Sequence, residues 1–172
     1  MISSEIENAL KEYQDFPKPG ILFKDLSPVF RNPQLCKRVV KALAEPWRNK
    51  QLDGVVGIES RGFVLGLALA LELDVPFILA RKPGKLPGKV FAYEYELEYG
   101  KDKLEISADA IGNGDKLLIH DDILATGGTA NAVYNLVGLA NAETVGFSFI
   151  GEIPFLKGKS KLKSEVNSLI DL

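Results

Sequence analysis

One cysteine, Cys36, and one histidine, His120, are all that the 172 residues supply of the two soft metal ligands. A single thiol cannot close an internal disulfide, and one thiolate with one imidazole cannot assemble a zinc site of Cys and His ligands. Hard, oxygen-liganded cations stay open. A Ser/His/Asp hydrolase would have one imidazole to choose and no GxSxG turn to go with it, so His120 reads as a satisfied strand histidine. Charge of one sign is also lacking. Twenty-one Lys plus Arg against 23 Asp plus Glu leave a net charge of −2, so the chain as a whole has no pull toward nucleic acid or anionic lipid, and any anion site must be local. No apolar run reaches membrane length: the longest, Gly62 to Leu71, is far too short, and Met1 to Leu10 has no h-region. The expectation is a cytoplasmic protein with neither nucleic acid nor membrane as a partner.

What is present is an ordinary globular composition, 46% apolar and 26% charged, at a length that suits one domain. Ser4 with Glu7 predicts a capping box for a short helix carrying Ile6, Leu10 and Tyr13, ending before Pro17. The stretch FPKPGILFKDLSPVF (16–30) predicts extended, turn-rich backbone. Asn32 and Pro33 form an N-cap and N1 pair for a second helix that Pro46 should kink or end. From Asp53 the pattern changes to short apolar runs of the kind buried in parallel sheets: GVVGI (54–58), VPFILA (75–80), KLLIHD (116–121) and TVGFSFIG (144–151). The helix FVLGLALALEL joins the first two and a helix from about 129 to 141 joins the last two, making two βαβ units. Between them an insertion (81–113) begins with RKPGKLPGK and continues as two alternating segments, a hairpin or paired strands. The predicted architecture is α/β, a doubly wound parallel sheet whose strand-end loops converge on one crevice.

The segment LLIHDDILATGGT (117–129) carries most of the chemistry. A strand runs into Asp121 and Asp122, and Ala125, Thr126, Gly127, Gly128 and Thr129 lead into a helix. Glycines let successive N–H groups turn inward, the helix start adds partial positive charge, and the threonine hydroxyls donate to the same oxygens: a phosphate nest. The adjacent carboxylates would repel unless they accept hydrogen bonds or face a cation, and ribose hydroxyls are suitable donors. The plainer alternative is that the acidic pair ends a strand and the glycines make a sharp connection. There is no Walker loop and no GxGxxG, which removes most support for ATP hydrolysis or NAD chemistry.

The acidic pair followed by LATGGT resembles the phosphoribosyl diphosphate (PRPP) motif of the type I phosphoribosyltransferases. FPKPGILFKDLSPVF, GIESRGF (57–63), RKPGKLPG (81–88) and LEYGKDKLEI (97–106) are similar to segments of the adenine phosphoribosyltransferase family, in order and at matching separations. The resemblance runs from about Phe16 to Lys163. It implies conversion of adenine and PRPP to AMP and pyrophosphate in purine salvage, with Mg2+ as cofactor, and a homodimer. It also implies a small N-terminal hood, mainly residues 1–32, on a core of residues 33–172, with a flexible loop and hairpin insertion.

By the same resemblance Asp121 and Asp122 hold the ribose 2′ and 3′ hydroxyls and residues 125–129 wrap the 5′-phosphate. Glu59, Ser60 and Arg61 would face pyrophosphate, the alternative being Arg61 paired with Glu59. Arg81, Lys82 and Lys85 would close over the diphosphate with Tyr99. A solvated basic loop is the alternative, and without an anion such a loop should be mobile and self-repelling. Arg61 and the acid/base Glu98 would carry the chemistry, Glu98 managing the purine N9 proton, unless it is an exposed strand carboxylate like Glu94 and Glu96. Phe23 would stack on adenine, with backbone groups of Leu22 and Lys24 at its edge and Ile153 on its opposite face; plain core packing is the alternative for Phe23. Magnesium would arrive on PRPP and leave with pyrophosphate, without direct protein ligands. His120 shares a strand face with Asp122 and departs from the aliphatic residue more frequent there in relatives. Two rivals stay open: a phosphoribosyltransferase for another base, and a non-catalytic PRPP-sensing regulator.

Overall fold

A computed structural model of the chain describes residues 1–97 and 100–172. The central sheet holds five parallel strands in the order β4-β3-β7-β8-β9: β3 Gly54–Ile58, β4 Phe77–Ala80, β7 Lys116–Leu124, β8 Glu143–Glu152 and β9 Glu165–Asp171. Every residue of β3 is buried, as its unbroken apolar run requires of a strand covered on both faces. Period-two alternation sorts the β7 side chains: Leu117 and Ile119 join one core with Val133, Leu136 and Phe147, while Leu118 joins the other with Val39, Leu43, Trp47 and Leu69. Helix α5 (Gly128–Leu139) covers the first face, and α3 (Pro33–Ala44) and α4 (Gly62–Glu72) cover the second. The doubly wound parallel sheet expected from the sequence is the one found.

The N-terminal region differs in detail. Helix α1 spans Ile2–Ala9 with Met1 as N-cap and no side-chain cap, so Ser4 and Glu7 form no capping box. The helix begins a turn early because Ile6 is drawn fully into the core and the Ser3 hydroxyl is anchored on the Leu169 carbonyl of β9, 3.0 Å away. It also stops before Leu10 and Tyr13, since β1 (Lys11–Gln14) pairs antiparallel with β2 (Leu22–Asp25). A one-turn helix, α2 (Ser27–Phe30), follows. Asn32 caps α3 as expected, accepting from the N–H groups of Gln34 and Leu35 at 3.1 Å, and the helix gives way to a 3₁₀ turn at Pro46.

The insertion forms an antiparallel hairpin, β5 (Val90–Leu97) with β6 (Gly100–Ser107), that leans on α5. A bridge between Arg81 and Glu105 ties it to the end of β4. The strand β9 had no forecast. It reaches the far edge of the sheet after two 3₁₀ turns, Pro154–Leu156 and Gly158–Lys161.

Candidate functional site

The C-terminal ends of β3 and β7 lie side by side, and α4 and α5 start from them. Strand β7 continues past both aspartates to Leu124, so the acidic pair stands inside the strand end and does not terminate it. Gly62, the first residue of α4, sits so close that an added Cβ would lie 2.9 Å from the His120 carbonyl and 3.0 Å from Asp121 Oδ1. Only glycine lets that helix start touch the acidic strand end.

After Leu124 the turn through Gly127 adopts a left-handed conformation (φ +77°), and α5 begins at Gly128. The opposite wall is Gly158: a Cβ there would fall 2.2 Å from the Ala125 carbonyl, and one on Gly127 would fall 2.5 Å from the Gly158 carbonyl. Two glycines back to back press the turn into shape. The Asn131 N–H closes the helix on the Gly127 carbonyl, and the preceding amides have no earlier helical carbonyl to reach, so they point out of the helix start. Asp121, Phe149 and residues 123–130 enclose about 80 Å³ there.

A second, wider crevice of about 360 Å³ adjoins it, lined by Glu59, Ser60, Arg61, Lys82, Asp121, Asp122 and Thr129 of the expected residues, with Tyr95, Asp102 and Ile123 in addition. Arg61 does not pair with Glu59. Its Nε is 2.9 Å from Asp122 Oδ2, so the guanidinium is the cation that lets two neighbouring carboxylates coexist. Burial, then the Asp122 charge, raises the Asp121 carboxyl well above its ordinary range; burial raises Asp122 too, against the opposing pull of Arg61.

Glu59 instead gathers the basic loop. It accepts from the Lys82 N–H at 2.8 Å and the Arg81 Nε at 3.3 Å, and it pairs with the Lys85 ammonium. Lys85 first, with the Lys82 amide and Arg81 in support, holds the Glu59 carboxyl down at about 2. Glu105 accepts the Gly84 N–H at 3.0 Å, and Asp102 takes the Lys82 ammonium. The loop expected to be self-repelling therefore has its charge balanced by carboxylates of β3, β6 and their ends. Glu98 and Tyr99 lie outside the described residues.

The expected base-binding residues are spread around this centre. Phe23 packs edge-on against Phe16, ring centres 5.1 Å apart, and Leu22 is exposed. Asp25, which follows Lys24 on β2, accepts the Ser27 N–H at 2.9 Å. Ile153 donates its N–H to the Leu124 carbonyl at 2.9 Å and lines a separate 240 Å³ cavity with Leu124, Glu152 and Lys159. Leu22, Phe23 and Lys24 line none of these three cavities.

His120 is buried but only partly satisfied. Among the described residues its Nδ1 has no hydrogen-bond partner, nor do Ser148 Oγ and Asn167 Oδ1. These three residues are in register on β7, β8 and β9. Burial pushes the imidazole down to about 4, against a backbone hydrogen bond with Ser148, so it is neutral at pH 7.

Sequence reasoning missed Tyr95, Asp102 and Gly158. The alternation in VFAYEYEL carried a signal for Tyr95, since a hairpin strand with one covered face must turn alternate residues inward; Gly158 gave none.

The parallel sheet thus ends in an acidic strand, a glycine-walled turn at a helix start and a crevice lined by the cations Arg61 and Lys82. The family model of the phosphoribosyl transferase domain matches residues 26–151, and the chain belongs to that family. Among its relatives, the adenine phosphoribosyltransferase of Cytophaga hutchinsonii is 44% identical over 99% of this chain and 96% of its own length. The crystal structure of the adenine phosphoribosyltransferase from Thermoanaerobacter pseudethanolicus superposes with a TM-score of 0.94 at 41% identity, covering all of both chains. That of the Saccharomyces cerevisiae adenine phosphoribosyltransferase, complexed with an imino-altritol bisphosphate and adenine, gives 0.93 at 45% identity over 98% of each chain.

Proposed function

We infer that the chain is an adenine phosphoribosyltransferase, moving the 5-phosphoribosyl group from PRPP to adenine with release of AMP and pyrophosphate. The observation that carries this reading is the end of β7: a carboxylate pair held by Arg61, running into a turn whose amides open on an 80 Å³ hollow. The turn 125–129 receives the 5′-phosphate, and Asp121 and Asp122 accept from the ribose hydroxyls. Arg61, Ser60, Arg81, Lys82 and Lys85 surround the diphosphate, with Glu59 orienting the loop.

In the reaction the bond from C1′ to the diphosphate oxygen breaks, positive charge grows on the ribose, and adenine N9 forms the new bond while its proton passes to Glu98. The cations stabilise the departing charge, and closure of the basic loop with Tyr99 keeps water from the activated sugar. Phe23 and Ile153 cover the faces of the purine, and the backbone of Leu22 and Lys24 reads its edge. Among the described residues no cluster of three or more potential ligands could cage a metal. Magnesium would therefore be carried on the oxygens of PRPP and pyrophosphate with water, while Asp121 and Asp122 stay engaged with the ribose. Bound in that way, Mg2+ supplies Lewis-acid neutralisation of the diphosphate.

We place the protein in the cytoplasm, a reducing compartment that suits the unpaired thiol of Cys36, and we read it as a homodimer. Helix α4 is apolar all round, and Val64, Leu67 and Leu71 stay 49%, 50% and 71% exposed along one stripe, a surface that a second copy would cover. Sedimentation showing a monomer at micromolar concentration would refute the dimer. The function is tested by incubating the protein with PRPP, magnesium and each purine base in turn. AMP should form from adenine; IMP or XMP forming while AMP does not would reject the assignment.

A further inference from the structure

Two crevice residues, Tyr95 and Asp102, have no part in the reading above. They face each other across the β5–β6 hairpin and present a phenol and a carboxylate to the same space. The Tyr95 hydroxyl donates to Asp102 Oδ2 at 3.2 Å, and Tyr95 and Thr129 line the same crevice. The Lys82 ammonium docks on Asp102 Oδ2, while Oδ1 accepts the Lys103 N–H at 2.8 Å. A line of contacts thus runs from Lys82 of the basic loop into the hairpin, where Tyr95 shares the crevice wall with Thr129 of the turn.

Asp102 is an anion inside the protein that engages a cation of the diphosphate crevice. We propose that Asp102 sets the affinity of this crevice for a diphosphate by competing with it for Lys82, and that Tyr95 couples the exchange to Thr129 in the phosphate turn. The proposal rests on the reading of the crevice as a diphosphate site and names a positioning pair within it. Two features make the exchange feasible. The Lys82 side chain is 40% exposed and that of Asp102 20%, so the pair is open to a competing anion from solvent. The Lys82 backbone is held independently, through its N–H on Glu59, so the ammonium can leave Asp102 without dislodging the loop. When a diphosphate takes Lys82, Asp102 loses its counter-ion and the Tyr95 hydroxyl loses the charge balance around its acceptor. Tyr95 and Thr129 share the crevice wall, and the change reaches the turn there.

The test is titration calorimetry of magnesium pyrophosphate into the full-length protein, with Asp102→Asn, Lys82→Met and the double variant. Since a partly exposed ion pair contributes up to about 1 kcal/mol, Asp102→Asn should bind pyrophosphate about 5-fold tighter. The gain should shrink below about twofold in the Lys82→Met background, the signature of competition through that one cation. Asp102→Ala, which removes the same charge, must reproduce the gain, so a folding defect in one variant does not decide the matter. With ribose 5-phosphate as a second probe, pyrophosphate should alter its affinity in the unsubstituted protein, and Tyr95→Phe should abolish that coupling. Equal or weaker pyrophosphate binding by both Asp102 variants overturns the competition, as does a gain that persists without Lys82. Coupling that survives Tyr95→Phe overturns the role of the phenol. An unsubstituted protein that ignores pyrophosphate overturns the diphosphate reading itself, and the competition with it.

Discussion

On the proposed reading the turn after β7 and the basic loop each receive an anion, and they are built by opposite means. The turn is backbone: a left-handed Gly127, a facing Gly158 and a helix start, fixed by contacts that leave no space for a methyl group. The loop is side chain: Arg81, Lys82 and Lys85 are held on Glu59 and Asp102 through ion pairs that solvent reaches. Close-packed backbone cannot adjust by a fraction of an ångström without loss, whereas an exposed ion pair can exchange one anion for another at little cost. On the proposed reading, the first suits a phosphate that stays on the sugar throughout the reaction, the second a diphosphate that must leave.

The sharpest way to break this contrast is at Gly158. A Gly158→Ala change should displace the turn and lower kcat/KM for PRPP by about 100-fold or more in initial-rate assays, with the protein still folded. An unaffected variant would mean that the turn is as adaptable as the loop.

Next in size is a test of the rigid half from within the sheet. The unfolded imidazole of His120 takes its proton near its ordinary value of 6.5, the buried one only near about 4. Between those values the unfolded state binds more protons, so the stability is whole above pH 6.5 and is lost as the pH falls toward 4, by roughly 3 kcal/mol. Asp121, raised by burial, works in the other direction, so the difference between proteins is what isolates His120. Urea denaturation of His120→Leu against the parent across that window should show the parent's acid loss reduced by about that amount; parallel curves would contradict it.

Arg61 stands between the two halves, since it pairs with Asp122 in this structure and is assigned to the diphosphate. Replacing it by Gln removes charge-assisted hydrogen bonds and should cost about 10- to 100-fold in kcat/KM. The smallest effect belongs to the loop tip. Lys85→Met should raise the PRPP KM by only about 5-fold, and the difference should fade as salt is raised, because an exposed charge is screened. A salt-independent loss larger than that of Arg61→Gln would place Lys85 in the rigid half.

Much of the fold was legible because it is written in consecutive residues. GVVGI and the Leu117–Ile119 run inside KLLIHD are short apolar runs of the kind that strands covered on both faces carry, and Asn32 before Pro33 is a favourable N-cap and N1 pair. Weaker local signals misled: Ser4 and Glu7 have capping-box spacing, yet burial of Ile6 and the Ser3 anchor on β9 moved the helix start. The strand β9 went unseen because its polar, half-buried alternation, EVNSLID, acquires meaning only beside β8. In the site, the acidic pair and the turn after it were readable as a unit, while Arg61 turned to Asp122 and not to Glu59, a choice between acceptors that sequence spacing leaves undetermined.

By itself, then, the sequence determined the β7 strand, its carboxylates and the turn that follows, because a strand, a nest and a helix start are made by neighbours along one chain. The tertiary structure alone decided that Gly158 walls the turn after β7, that Asp102 and Tyr95 join the crevice, and that His120, Ser148 and Asn167 align across three strands. Those arrangements depend on strand register and on loops folded back over the sheet, and they bring together side chains whose separation along the chain carries no trace of their distance in space.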